Sequence, residues 1–178
     1  MYLFCCVQSL TTIFTSVKQL KIKLLEEYKA KYKEIDPGFI TRTRSEIELS
    51  WADQHLQYPD KYQLLKGTQP AIPAGYHFDY LNRLNLNSAS ILTSSVFKQF
   101  IQNYLDYRQE VYLVEHPNAT TMIFPQSVAR FRVIHEEFSN PNVLDYLLFT
   151  AMDDHLANFG TTRVESFLTD FMITCKNQ

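Results

Sequence analysis

The stretch TTIFTSVKQLKIKLLEEYKAKYKEIDPGFI, residues 11–40, decides the fold class. Phe14, Val17, Leu20, Leu24, Tyr28, Tyr32 and Ile35 recur in steps of three and four, the period of one helix face. Lys18, Lys21, Glu26, Lys29 and Lys33 fall on the opposite side. Asp36-Pro37-Gly38 breaks the pattern. Asp36 can accept backbone N–H bonds as an N-cap, and Pro37 has its φ pre-set for the first position of a new helix. The spacing therefore predicts one helix from about Thr11 to Ile35. A second runs to about Leu56, turning Ile40, Ile47, Trp51 and Leu56 inward.

The same period governs the rest of the chain. Tyr58-Pro59 stops the second helix, and a short helical turn through Tyr62 and Leu65 ends at Gly67, which tolerates positive φ. Pro70, Pro73 and Gly75 mark an extended Pro/Gly loop near 67–76, followed by a short helical stretch through Phe78, Leu81 and Leu84. A long helix begins near Ser94 or Ser95, with Val96, Phe97, Phe100, Ile101, Tyr104, Leu105 and Val111 on its buried stripe. Val128, Phe131, His135 and Phe138 form the next amphipathic run. Asn140-Pro141 caps another, which buries Leu144, Leu147, Leu148 and Ala151 and stops at Gly160. Thr162 with Glu165 reads as a capping box for a last helix carrying Val164, Phe167, Leu168, Phe171 and Cys175. Val111–Val114 and Thr121–Phe124 are β-prone runs joined by a turn-rich hexapeptide, so a minor hairpin near 111–124 stays open. The fold class is all-α: an irregular bundle of about six to eight helices, in one domain over residues 1–178.

Composition narrows the function classes. With 178 residues, 46% hydrophobic and 14% aromatic, the chain can bury a sizeable core and is not disordered. No apolar run reaches the ~18–20 residues of a membrane-spanning helix. The net charge is −2, but Lys18 to Arg44 carries +4 and Glu136 to Asp170 carries −6. The acidic stretch repels phosphate, which argues against nucleic acid as a partner. The first basic residue, Lys18, follows the apolar N-terminal stretch rather than preceding it, so an export signal is not written here. Residues 1–10 read as the remnant of an upstream segment.

Few residues have the spacing that chemistry needs. His135-Glu136-Glu137 and Asp153-Asp154-His155 are the clusters with metal-ligand character, but neighbours on a helix point about 100° apart and neither triplet converges on one ion. The zinc-protease spacing H-E-x-x-H fails because position 139 is Ser. Cys5, Cys6 and Cys175 form no C-x-x-C pair and read as free thiols. Ser88, Ser90, Ser94 and Ser95 lie outside any G-x-S-x-G elbow and sit where caps belong. Asn118-Ala119-Thr120 fits a glycosylation triplet and reads as a turn. Tyr76, Phe78 and Tyr80 beside the Pro loop read as packing. The expected catalytic, cofactor and metal residues are none.

Asp36-Pro37-Gly38-Phe39-Ile40, Glu46-Ile47, Trp51-Ala52 and Tyr58-Pro59 resemble the helical region of TlpA-type envelope thioredoxin-like thiol–disulfide oxidoreductases. Tyr80 to Asn87, Phe97 to Ile101, Tyr104 to Tyr107, Asn140 to Val143, Tyr146 to Leu148 and Phe167-Leu168 are similar to the same region. The resemblance implies a helical fold, a periplasmic or cell-envelope setting and a thioredoxin-like domain as partner. Its redox pair W-C-x-x-C has no counterpart, since Trp51 precedes Ala52. Two function classes remain. One is a non-catalytic helical interaction module; the other is a small-molecule or peptide binder using the 68–80 loop as its mouth. A flat apolar face on the final helices favours the first, a cleft beneath the loop the second.

Overall fold

The computed structural model describes the backbone of residues 2–68, 78–162 and 164–174. Seven α-helices follow one another: α1 (Tyr2–Lys31), α2 (Pro37–Leu56), α3 (Tyr58–Lys66), α4 (Ser95–Glu115), α5 (Pro125–Glu137), α6 (Pro141–Phe159) and α7 (Glu165–Thr174). Short 3₁₀ turns occupy Phe78–Arg83, Ala89–Thr93 and Pro117–Thr121. No strand occurs among the described residues, and the fold is all-α. The chain forms two compact units, Met1–Asn85 with Thr93–Asn103, and Leu86–Leu92 with Tyr104–Gln178. Helix α4 contributes its first half to one and its second half to the other.

In the first unit α1 packs against α2. Between them the Asp36 carboxylate accepts the Gly38 N–H at 2.9 Å, and Pro37 opens α2. The side of α1 that packs differs from the expected stripe. Leu25 is buried and Phe14, Lys18 and Ile22 are half-buried, whereas Val17, Leu20, Leu24 and Tyr28 are exposed. The helix carries two apolar lines about 100° apart, and α2 covers the one interrupted by a lysine. That lysine fits because the Lys18 Nζ lies 4.0 Å from the centre of the Trp51 ring. Such a contact contributes about 0.5–1 kcal/mol and leaves the aliphatic stem to pack. Ile40, Leu49, Ala52, His55 and Leu56 are the buried residues of α2, with Ile47 and Trp51 half-buried. Gly67 ends α3 at φ 69°, its N–H bonded to the Gln63 carbonyl at 2.7 Å. The Pro/Gly loop follows, and its residues 69–77 lie outside the described residues. The Ser94 hydroxyl accepts the Phe97 N–H at 3.3 Å where α4 starts, and Phe97, Phe100 and Ile101 are fully buried.

The second unit is built on α5, α6 and α7, with α5 on α6 and α6 on α7. Its core holds Leu105 of α4, Ala129, Phe131, Val133 and Ile134 of α5, Val143, Leu147, Leu148 and Ala151 of α6, and Phe167 of α7. Burying a leucine contributes about 1.5–3 kcal/mol, so Leu147 and Leu148 at 0% exposure anchor α6. Asn140 caps α6 through its Oδ1, which accepts the N–H groups of Asn142 and Val143. Asn87 secures the α5–α6 turn from outside it. Its Nδ2 donates to the Glu137 carbonyl at 3.0 Å, and its Oδ1 accepts from Ser139 N–H at 2.7 Å and Asn140 N–H at 3.3 Å.

The hairpin near 111–124 does not form. Val111–Val114 continue α4 to Glu115, and the segment after His116 coils into the Pro117–Thr121 turn. The threonines that raised its β propensity bond locally instead, Thr120 to the Pro117 carbonyl at 2.6 Å and Thr121 to the Asn118 carbonyl at 2.8 Å. Helix α7 opens at Glu165, with the Leu168 N–H bonded to the Val164 carbonyl, rather than on Thr162.

Candidate functional site

Each titratable cluster singled out in the sequence is separated by its helix. In the triplet 135–137, Glu137 takes the Tyr104 hydroxyl and the Arg108 guanidinium as donors, while Glu136 is exposed. Burial, and then the Glu137 carboxylate that accepts its proton, push the Tyr104 phenol far above its usual range. In the triplet 153–155, Asp153 is exposed, Asp154 accepts Arg130 Nη1 at 2.9 Å, and His155 turns inward. Among the described residues no group of three His, Cys, Asp or Glu side chains could hold a metal ion.

Arg130 is the hinge pin of this polar layer. From α5 it reaches Asp154 on α6 and both Asp106 and Gln109 on α4, with only 12% of its side chain exposed. The planar guanidinium spreads five N–H donors over a fixed fork, which suits acceptors on two different helices better than the compact ammonium of a lysine.

His155 and Ser127 make a nucleophile-and-base pair that the sequence reading missed. The Ser127 Oγ lies 2.9 Å from His155 Nδ1, a contact across 28 residues that no sequence spacing signals. The imidazole is 1% exposed, ringed by Phe124, Phe159 and Phe167 at 4.7–5.2 Å, and its Nε2 is buried with no hydrogen-bond partner among the described residues. Nucleophilic catalysis needs a third group to orient the base and a space for the substrate. Here the rings of Phe124, Phe159 and Phe167 pack around the imidazole, and Ser127 is half-buried. Phe124 is held at φ 58°, a left-handed conformation that costs a non-glycine residue about 1–2 kcal/mol. Its ring against His155 and Phe159, at 5.0 and 4.4 Å, offsets that cost. The pair packs the core of the second unit.

A second aromatic cluster lies in the first unit. Trp51, His55 and Tyr80 sit 4.5–5.7 Å apart, with Phe14 edge-on to His55 at 5.2 Å. The His55 Nδ1–H donates to the Trp51 carbonyl at 3.0 Å, and the Tyr80 hydroxyl donates to the Ala52 carbonyl at 3.3 Å. Burial pulls His55 below the usual imidazole range, opposed by that backbone bond and aided by the Lys18 charge. Beside this cluster a hollow lined on α1 by Phe14, Val17, Lys18 and Lys21, and on α2 by Trp51 and Gln54 among others, offers about 10 Å³, room for one water. Small-molecule sites run to about 300–1,000 Å³.

The remaining candidates divide simply. Ser88 and Ser90 bond each other at 2.8 Å, and Asn118 lies in the 3₁₀ turn. Tyr80 packs as expected, while Tyr76, Cys175 and the mouth of the proposed 68–80 site lie outside the described residues, as do the side chains of Cys5, Cys6 and Phe78. What the fold presents outward is apolar surface. On α6 and α7 it exposes Phe149 (62%), Leu156, Leu168, Met172 (59%) and Ile173 (75%), with Asp153 and Glu165 exposed alongside. On α1 it exposes Ile13, Val17, Leu20, Leu24 and Tyr28. No protein-family model, no curated protein and no solved structure matches this chain.

Proposed function

We propose that the protein is a non-catalytic helical interaction module whose α6–α7 outer face receives a folded protein domain. The observation that carries this reading is the exposure of Phe149, Leu156, Leu168, Met172 and Ile173 on two helices packed against each other. Large apolar side chains grouped on adjacent elements mark interaction surfaces more often than isolated ones do. Asp153 and Glu165 give the face an acidic rim, so it suits a partner with a lysine- or arginine-rimmed apolar patch. The sequence resemblance to the helical region of TlpA-type proteins supports a thioredoxin-like domain as that partner, in the cell envelope. The module contributes surface and geometry, and the partner any redox chemistry.

The test titrates the isolated thioredoxin-like domain of a TlpA-type protein into this chain by calorimetry. Contacts between domains are of modest size, about 600–1,500 Å². Micromolar binding is expected, weakened at least tenfold by Phe149→Asp or Ile173→Asp, both surface changes that leave the helical spectrum intact. Absence of binding, or binding indifferent to both substitutions, refutes this reading.

A further inference from the structure

The outward line of α1 has a different chemistry from the α6–α7 face. Ile13, Val17, Leu20 and Leu24, each 43–56% exposed, follow one another in steps of four, three and four. That spacing keeps them in one row about 16 Å long. Tyr28, 47% exposed, continues the row where it approaches Phe39 of α2, and the Tyr32 ring lies tilted against it, centres 4.7 Å apart. Helix α1 packs on α2, with Phe14 edge-on to His55 and Ile22 and Leu25 among its less exposed residues, so this row is carried by a helix docked along another side.

Charge along α1 is graded. From Tyr2 to Val17 no side chain is charged; then come Lys18, Lys21, Lys23, Lys29 and Lys31 against Glu26 and Glu27. Glu26 is countered by Arg44, and Glu27 pairs with Lys23 at 3.8 Å, so that pair cancels and Lys18, Lys21, Lys29 and Lys31 carry the net positive charge of the helix. By helical geometry Lys21 stands to one side of the apolar row and Lys23 to the other. A second copy docking by the same face would set lysines against lysines.

We propose that this face of α1 binds an anionic lipid surface. Helix α1 is not long and apolar enough to cross a membrane, and it would lie along one. The isoleucine, valine and leucines would enter the headgroup–acyl boundary, the tyrosines would sit at headgroup level, and the lysine stems would reach to phosphates. Partner and lipid would then engage opposite kinds of surface on one chain. The inference stands apart from the α6–α7 reading, because it concerns another helix and other charges.

Flotation with vesicles of equal parts phosphatidylglycerol and phosphatidylcholine, against pure phosphatidylcholine, tests it. The protein should float with the anionic vesicles and stay behind with the neutral ones, and added salt should release it. Each lysine near an anionic surface is worth about fivefold in binding, so Lys21→Ala should weaken it roughly fivefold. Leu20→Gln with Leu24→Gln should abolish it without changing the circular dichroism spectrum, and Phe149→Gln on α6 should leave it intact. Failure of the native protein to float with anionic vesicles overturns the proposal. So does equal flotation with neutral vesicles, or a dimer in analytical ultracentrifugation that the Leu20 and Leu24 changes dissolve.

Discussion

Replacing Asn87 by alanine removes a side chain that ties the end of α5 to the start of α6. Three bonds go: to the Glu137 carbonyl at 3.0 Å, from Ser139 N–H at 2.7 Å and from Asn140 N–H at 3.3 Å. A net hydrogen bond contributes about 0.5–1.5 kcal/mol. The longest of the three belongs at the low end, and Ser139 is exposed enough for water to replace Asn87. The sum is then about 2 kcal/mol. With a urea slope of about 2 kcal/mol/M, Asn87→Ala should lower the unfolding midpoint by roughly 1 M, read by far-UV circular dichroism. Asn87→Asp keeps the acceptor for both N–H groups and loses only the donor, so it should cost about half as much. Hydrogen exchange gives a local readout, since the Ser139 and Asn140 amides should lose protection in the alanine variant and keep most of it in the aspartate one. A midpoint within ~0.3 M of the native protein's, or equal losses for Ala and Asp, would show that the clamp is not what holds the turn.

Three other perturbations follow from the geometry. His55 is held below its unfolded-state value of about 6.5, so its contribution to stability is fully present above that pH and declines as pH falls through it, because the unfolded chain takes up the proton first. Urea midpoints measured from about pH 7.5 down to about 5.5 should fall, and His55→Gln should flatten the decline; an unchanged slope would remove His55 from the account. Gly67→Ala puts a Cβ at φ 69°, where space is open but the backbone is strained, and should cost about 1 kcal/mol in thermal or urea unfolding. Leu147→Ala empties a fully buried site on α6 and should cost about 2–5 kcal/mol, with the larger value if the surrounding core cannot collapse inward.

Local signals were legible in the sequence wherever one residue type does one job. Asp36 and Asn140 cap α2 and α6 through their side chains, and Gly67 and Gly160 end α3 and α6 at positive φ. The buried stripe of α4 also followed from period, with Phe97, Phe100, Ile101, Tyr104 and Leu105 buried; that of α6 followed only in part, since Leu147, Leu148 and Ala151 are buried but Leu144 is half-buried and Val143 takes its place. The polar core was not legible. Arg130 with Asp106 and Asp154, Asn87 with the α5–α6 turn, and Ser127 with His155 join residues 24 to 53 positions apart. A lone polar residue in sequence carries no mark of the partner that folding brings to it.

Helix α1 shows the limit of periodicity most clearly, and also why the outward faces matter. Period identifies an apolar face, but it does not say which of two faces the neighbouring helix will cover. The richer stripe, Val17-Leu20-Leu24-Tyr28, would be chosen on hydrophobicity alone, yet it stays exposed, meeting α2 only at its edges, where Val17 lines the hollow and Tyr28 approaches Phe39, while Phe14, Ile22 and Leu25 are the less exposed residues. The cause is shape and charge at particular residues: Trp51 presents a ring that accepts Lys18, and His55 an edge that meets Phe14. A helix that keeps its better apolar row on the outside forgoes burial that folding could have used, roughly 25 cal/mol for each Å² left wet. The same arithmetic applies to Phe149, Met172 and Ile173 on the other unit. That cost is what the two proposals account for, one row with lysines beside it and one with acids, and the separate substitutions at Leu20 with Leu24 and at Phe149 test each row independently.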